Sequence, residues 1–133
     1  MALSDTCAAW APRVLSILRI ATALVFLQHP LSKLFGFPAS TNMPAMGTLT
    51  WYAGIIEIIG APLLLLGLFT RPVAFILAGE MAFAYFIGHH PRGFFPQLNA
   101  GSLAIMYCFV FFYLAFAGGG PWSADAMILG EKK

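Results

Sequence analysis

Four stretches of the chain are apolar for long enough to cross a bilayer, and short polar or Pro/Gly-rich segments separate them. They run from about 13 to 35, 49 to 69, 72 to 88 and 101 to 117. A helix needs roughly 20 residues, and no fewer than about 17, to cross the ~30 Å of hydrocarbon. The pattern is therefore that of spans, and helices are the default because backbone groups in lipid must be satisfied within their own segment. The connections agree. Thr70-Arg71-Pro72 is a tight link, with Pro72 suited to the first turn of a helix. Residues 37–48 hold Pro38, Asn42, Pro44 and Gly47, and residues 89–99 hold Pro91, Gly93 and Pro96. Gly118-Gly119-Gly120-Pro121 stops the last span. Beyond it, Ser123 is placed to cap a short amphipathic tail over 121–133, lying on the membrane with Trp122 at the interface. The reading is all-α: one integral membrane domain, a four-helix up-and-down bundle.

Composition strengthens this. Of 133 residues, 60% are apolar and 9% charged, against about 25% charged in a soluble domain. Mean hydropathy is +0.84. A net charge of +2, with Lys and Arg scattered, gives no nucleic-acid surface. The first apolar run is longer than the ~7–15-residue core of a secretory signal and carries Arg19, so it reads as a retained span. Cys7 and Cys108 fall at different depths and read as free thiols.

With four spans, both termini share a side with Arg13, Arg71, Lys132 and Lys133, and with Arg19 nearby; Lys33 and Arg92 lie on the other. The positive-inside rule then places both termini in the cytoplasm. A faint repeat links His29-Pro30, Gly36-Phe37-Pro38 and Asn42 with His90-Pro91, Gly93-Phe94-Phe95-Pro96 and Asn99, suggesting two parallel-related hairpins.

The candidate chemistry lies in the ionisable residues within the spans: Arg19, His29, Glu57 and Glu80. A central charge costs roughly 2.5–3.5 kcal/mol even on the lenient insertion scale, so such groups face inward and find partners. At 100° per residue, Ser16, Arg19, Thr22, His29 and Lys33 share a face, with Gln28 opposite. Ala53, Gly54, Glu57, Gly60 and Ala61 form a small-residue stripe on the second span, and Glu80, Ala84 and Gly88 repeat the pattern on the third. At 1.5 Å per residue, His29, Glu57 and Glu80 lie about 9–12 Å below the outer surface, while Arg19 is far deeper. Interhelical glue and chemistry both remain open for Glu57 and Glu80. Arg19 is within snorkelling range of the cytoplasmic face, which favours a structural role, though a stretch to Glu80 is also open. His29 reads as a proton relay, a donor to a ligand or a core histidine. Lys33, Trp51, Tyr85 and Asn99 are candidates to line the same site. Adjacent His89 and His90 do not share a helix face, so no metal site is expected. Phe37, Trp51, Tyr52, Phe94 and Phe95 read as an aromatic belt. There is no phosphate loop, CxxC motif or nucleophile elbow.

Several stretches together carry a resemblance. They are Leu18-Arg19, FLQHPLSKLF over 26–35, Glu57-Ile58-Ile59-Gly60 followed by LLLLGLFTR, Glu80-Met81 with Ala84-Tyr85-Phe86, HHPRGFFPQLNAG, Tyr107 and GGGPWSADA. In this set the chain resembles the DoxX family of small bacterial four-helix membrane proteins. Pro30 departs from the glycine expected after the histidine. The resemblance implies a bacterial inner-membrane protein in a quinone-linked redox system, with a quinone as ligand and His29, Glu57 and Glu80 as site residues. Its partners would be the lipid bilayer and either a membrane redox complex or further copies of itself. The alternatives are a non-catalytic assembly subunit and, ranking last, a small transporter or proton conductor.

Overall fold

The computed structural model describes residues 2–39 and 43–130; Asn42, Lys132 and Lys133 lie outside the described residues. Among the described residues there is no strand. Helix α1 spans Leu3–Phe35, α2 Leu49–Leu66 and α3 Thr70–Ala84. A π-type turn, Tyr85–His89, and a 3-10 turn, His90–Arg92, prolong α3. The short α4, Pro96–Asn99, precedes α5, Ser102–Ala117, and α6, Ala124–Ile128, ends the described chain. Three helical stretches are long and apolar enough to cross a membrane: Leu3–Phe35, Leu49–Leu66 and Thr70–Arg92. The apolar α5 has only 16 residues.

The helices pack mainly as two pairs, α1 on α2 and α3 on α5, joined where α2 meets α3. Small residues allow the close contacts. A Cβ at Gly54 would lie 3.2 Å from Leu34 of α1, and one at Gly60 would lie 3.0 Å from Leu77 of α3. The core between the pairs holds Phe26, Leu64, Leu77, Phe111 and Leu114, all essentially inaccessible. Gln28 is exposed, opposite the buried Ser16 and Arg19.

Several boundaries differ from those the hydropathy suggests. Helix α1 begins ten residues before position 13, and Pro12 does not stop it. Asp5 accepts a hydrogen bond from the Ala2 amide (3.2 Å), helping to fix its first turn. Helix α2 ends at Leu66 although the apolar run continues to Phe69. Gly67 adopts the left-handed conformation (φ +71°), and the Leu68 amide bonds back to the Leu63 carbonyl at 2.9 Å. The expected stripe through Gly88 fails, since Gly88 is exposed with open space where a Cβ would stand. The π turn widens the helix there and rotates the face away.

The tail leaves Met127, Ile128 and Leu129 exposed. Ser123 does cap α6, accepting from the Ala126 amide at 3.1 Å, and Trp122 is half exposed. The segment, however, plugs the end of the bundle. Asp125 is 2% exposed, and its carboxylate accepts from the Phe69 amide (2.7 Å) and the Thr70 amide (2.9 Å), satisfying the open N-terminus of α3. The Asp125 amide donates to the Gly67 carbonyl at 2.9 Å.

Gly120 makes the plug possible. It has φ +78°, and a Cβ there would collide with Ser16 Oγ and sit 2.9 Å from the Pro12 carbonyl oxygen. Two outcomes are expected for the purified protein in detergent. Asp125→Ala lowers stability by about 1–2 kcal/mol, the cost of losing a helix cap. Gly120→Ala lowers it further, through both strain and collision. Unfolding midpoints followed by circular dichroism check both.

Candidate functional site

Polar side chains inside the bundle fall into two groups. The first lies at the tail end. Arg19 on α1 is 1% exposed, and its guanidinium donates to the carbonyls of Gly119, Trp122 (2.8 Å) and Leu65 (3.4 Å). Ser16, one turn earlier, donates to the Gly119 carbonyl and accepts from the Trp122 amide, both at 3.0 Å. Arg19 therefore neither snorkels nor reaches Glu80. It is spent on the tail, about 15 Å along α1 from His29.

The second group lies toward the opposite end. Lys33 Nζ, on the last turns of α1, stands 2.8 Å from both carboxylate oxygens of Glu57 on α2. Glu57 is 1% exposed and the Lys33 side chain 29%, so the lysine is the open side of the pair. Glu80, on α3, lies within hydrogen-bonding reach of Glu57 and electrostatic reach of Lys33. His29, one helical turn below Lys33, feels both Glu57 and Lys33. The structure thus brings together His29, Lys33, Glu57 and Glu80 from three helices.

A fifth member comes from α5. The Tyr107 ring meets His29 edge-on at 5.8 Å between centroids. It packs edge-on against Phe26 at 5.0 Å and stacks on Phe111 at 5.7 Å. Sequence reasoning used Tyr107 only as a point of resemblance, because α5 is apolar on every side and one hydroxyl among many rings carries no periodic signal. Asp125 and Ser16 were likewise not singled out as polar anchors.

The two groups differ in degree: at the first, Arg19 Nε and the Thr70 hydroxyl lack a hydrogen-bond partner among the described residues, while the rest of the guanidinium is engaged. At the second, four buried polar atoms have no hydrogen-bond partner among the described residues: His29 Nε2, both Glu80 oxygens and the Tyr107 hydroxyl. Glu57 cannot serve Glu80 as one ionised acceptor to another; only a shared proton or an outside donor can. An unmet buried polar atom costs about 1–3 kcal/mol, so four on neighbouring side chains form a polar cluster with hydrogen-bonding capacity to spare.

The remaining candidates lie elsewhere. Asn99 is buried and fully engaged. Its side-chain amide donates to the Gly93 carbonyl (2.8 Å) and the Tyr85 hydroxyl (3.2 Å), and its oxygen accepts from the Gly101 amide (2.8 Å). Tyr85 and Asn99 therefore brace the loop before α5. His89 joins them, its Nδ1 lying 3.1 Å from the Asn99 carbonyl. Trp51 is half buried against Tyr52, 5.1 Å away.

The DoxX family model matches residues 14–90, more than half of the chain. The chain belongs to the DoxX family. The matched stretch carries His29, Lys33, Glu57 and Glu80, whereas Tyr107 and the DoxX tail plug fall beyond it. A relative from Haemophilus influenzae, described as an uncharacterized protein, is 43% identical over 122 residues, covering 87% of this chain and 91% of its own length. No solved structure matches this DoxX chain. Family and apolar helices together make it a membrane protein, in contact with lipid.

The Lys33–Glu57 pair is open to direct measurement. Lys33→Met leaves the Glu57 carboxylate without its cation and lowers stability on the order of 1–3 kcal/mol. Adding Glu57→Gln recovers part of the loss. A double-mutant cycle on unfolding midpoints checks the coupling, and strict additivity would show that the pair does not interact.

Proposed function

We propose that this DoxX protein is a small subunit of a quinone-linked redox system in a bacterial inner membrane, and that the polar cluster at His29, Glu57, Glu80 and Tyr107 receives the quinone head group. The observation that carries this reading is the set of four unpartnered polar atoms, with His29 and Tyr107 packed against aromatic rings. A quinone is flat and lipophilic, with polar oxygens at opposite ends of its ring. It can reach such a cluster from the bilayer and meet polar groups that have no other partner. Phe26 and Phe111 offer apolar surface next to Tyr107, and ligand sites are commonly apolar with a few convergent polar groups.

The roles divide by chemistry. Tyr107 and His29 hold the head group. Glu80 and Glu57 handle protons, and Lys33 balances the charge that two adjacent carboxyls would otherwise leave in a medium of low dielectric. Reduction of a quinone consumes two electrons and two protons. The side chains here serve the proton half, and a partner oxidoreductase supplies the electrons. We place both termini on the cytoplasmic side, because Arg13, Arg19 and Arg71 lie toward the tail end, and Lys33 and Arg92 toward the other. The cluster then lies in the outer half of the membrane.

Saturable binding of a short-chain benzoquinone or its hydroquinone to the detergent-purified protein is expected, measured by quenching of tryptophan fluorescence. His29→Leu removes one ring nitrogen from the head group and weakens binding several-fold, about the worth of one hydrogen bond. If neither form binds saturably, the quinone reading is wrong.

A further inference from the structure

We infer that Glu57 and Glu80 hold one proton between them at neutral pH, and that this proton exchanges with water only through the Lys33 end of the bundle. The site is a closed-ended proton store rather than part of a conducting path. It does not depend on a quinone being the ligand.

The shared proton follows from contact and charge. Lys33 Nζ stands 2.8 Å from both Glu57 oxygens, so those two charges balance. Glu80 makes a side-chain hydrogen-bond contact with Glu57. Two carboxylates in such contact both accept and neither donates, and two like charges side by side out of water do not both persist. A proton on Glu80 turns one of its oxygens into a donor toward Glu57. That buried oxygen then has the partner it otherwise lacks, and Lys33, Glu57 and Glu80 together carry no net charge. His29, in electrostatic reach of Glu57 and Lys33, is no substitute cation, since its buried Nε2 meets no acceptor among the described residues. Tyr107, from α5, meets the His29 ring and brings only a neutral hydroxyl. The proton therefore belongs to the carboxyl pair as a unit.

The closed end follows from what surrounds the pair. Lys33 is the open member, with its side chain 29% exposed against 1% for Glu57. Toward the tail end, about one helical turn on from His29, Glu57, Glu80 and Tyr107, stand Phe26, Ala61, Leu77 and Phe111. About one turn further stand Ala23, Leu64, Ala74 and Leu114. All eight are at most 1% exposed. Proton relays inside membranes run along polar side chains, and these two apolar layers offer none. Beyond them, Arg19 and Ser16 are bonded to the tail.

The test is infrared spectroscopy of the detergent-purified full chain, with no quinone added, at pH about 7, where an exposed glutamate is ionised. The wild type should show the carbonyl stretch of a protonated carboxyl. That band should shift when deuterium oxide replaces water, and shift again when the glutamates carry carbon-13. Glu80→Gln should abolish it, because Glu57 then faces Lys33 alone. Glu57→Gln should abolish it too, because Lys33 is released to Glu80 and the new amide offers it a donor. A wild type without a glutamate band, a band indifferent to deuterium oxide, or a band that survives Glu57→Gln overturns the shared, exchangeable proton. The wild-type carbon-13 and deuterium shifts decide by themselves if a variant does not fold, which size-exclusion elution reports. In liposomes under an imposed potential, the protein should add no proton conductance over empty vesicles. A conductance that Glu80→Gln removes overturns the closed end. Quinone binding enters none of these measurements, so their failure and that of the quinone reading are separate results.

Discussion

In hydrocarbon a polar atom has no water to bond with, so each one must find a partner inside the protein or keep a place for one. This constraint sorts the whole structure. At the tail end most polar groups are matched, although Arg19 Nε and the Thr70 hydroxyl have no partner among the described residues. The Arg19 guanidinium reaches three carbonyls, Ser16 bridges two residues, and Asp125 closes the exposed amides of α3. At the other end the matching stops halfway, with Lys33 and Glu57 paired but Glu80, His29 and Tyr107 left over. One end ties the chain together through backbone carbonyls, and the other keeps a reserve of unpaired polar side chains.

The division also explains why charges tolerated in one place would be ruinous in the other. A guanidinium spreads its charge over several nitrogens in a rigid plane and can be fully engaged by backbone carbonyls. Two of those carbonyls, of Gly119 and Trp122, are free because the chain after α5 leaves the helix through three glycines, whose backbone comes close to α1 and to the α2–α3 turn; the third, of Leu65, lies in the last turn of α2. The carboxyls of Glu57 and Glu80 have no such backbone supply, since the helices around them use their own amides. They depend on side chains, and one lysine cannot serve both.

Much of this order is readable in the amino-acid pattern. The three-and-four spacing of Gly54, Glu57, Gly60 and Ala61 marks a helix face, and all four are buried. Gln28 points away from Arg19 as the 100° step requires, and the helical spans follow from length and hydropathy. What escaped the pattern depends on contacts distant in sequence or on single turns. Asp125 looks like a surface acid because its partners, the amides of Phe69 and Thr70, lie more than fifty positions away. The partners of Arg19 are carbonyls, which carry no residue identity. Tyr107 is hidden in a helix with no polar face. Gly88 was misjudged because one wide turn at Tyr85–His89 changes the register on which the stripe depended.

The shortness of α5 bears on the surrounding lipid. Sixteen residues rise about 24 Å, several ångström less than typical hydrocarbon thickness. On the flank where α5 meets acyl chains, the bilayer must pinch inward or the apolar loop around Phe94, Phe95 and Leu98 must sink to meet it. The molecule is therefore taller on its α1 side than on its α5 side. Such mismatch favours thin membranes and neighbours that can share the indentation.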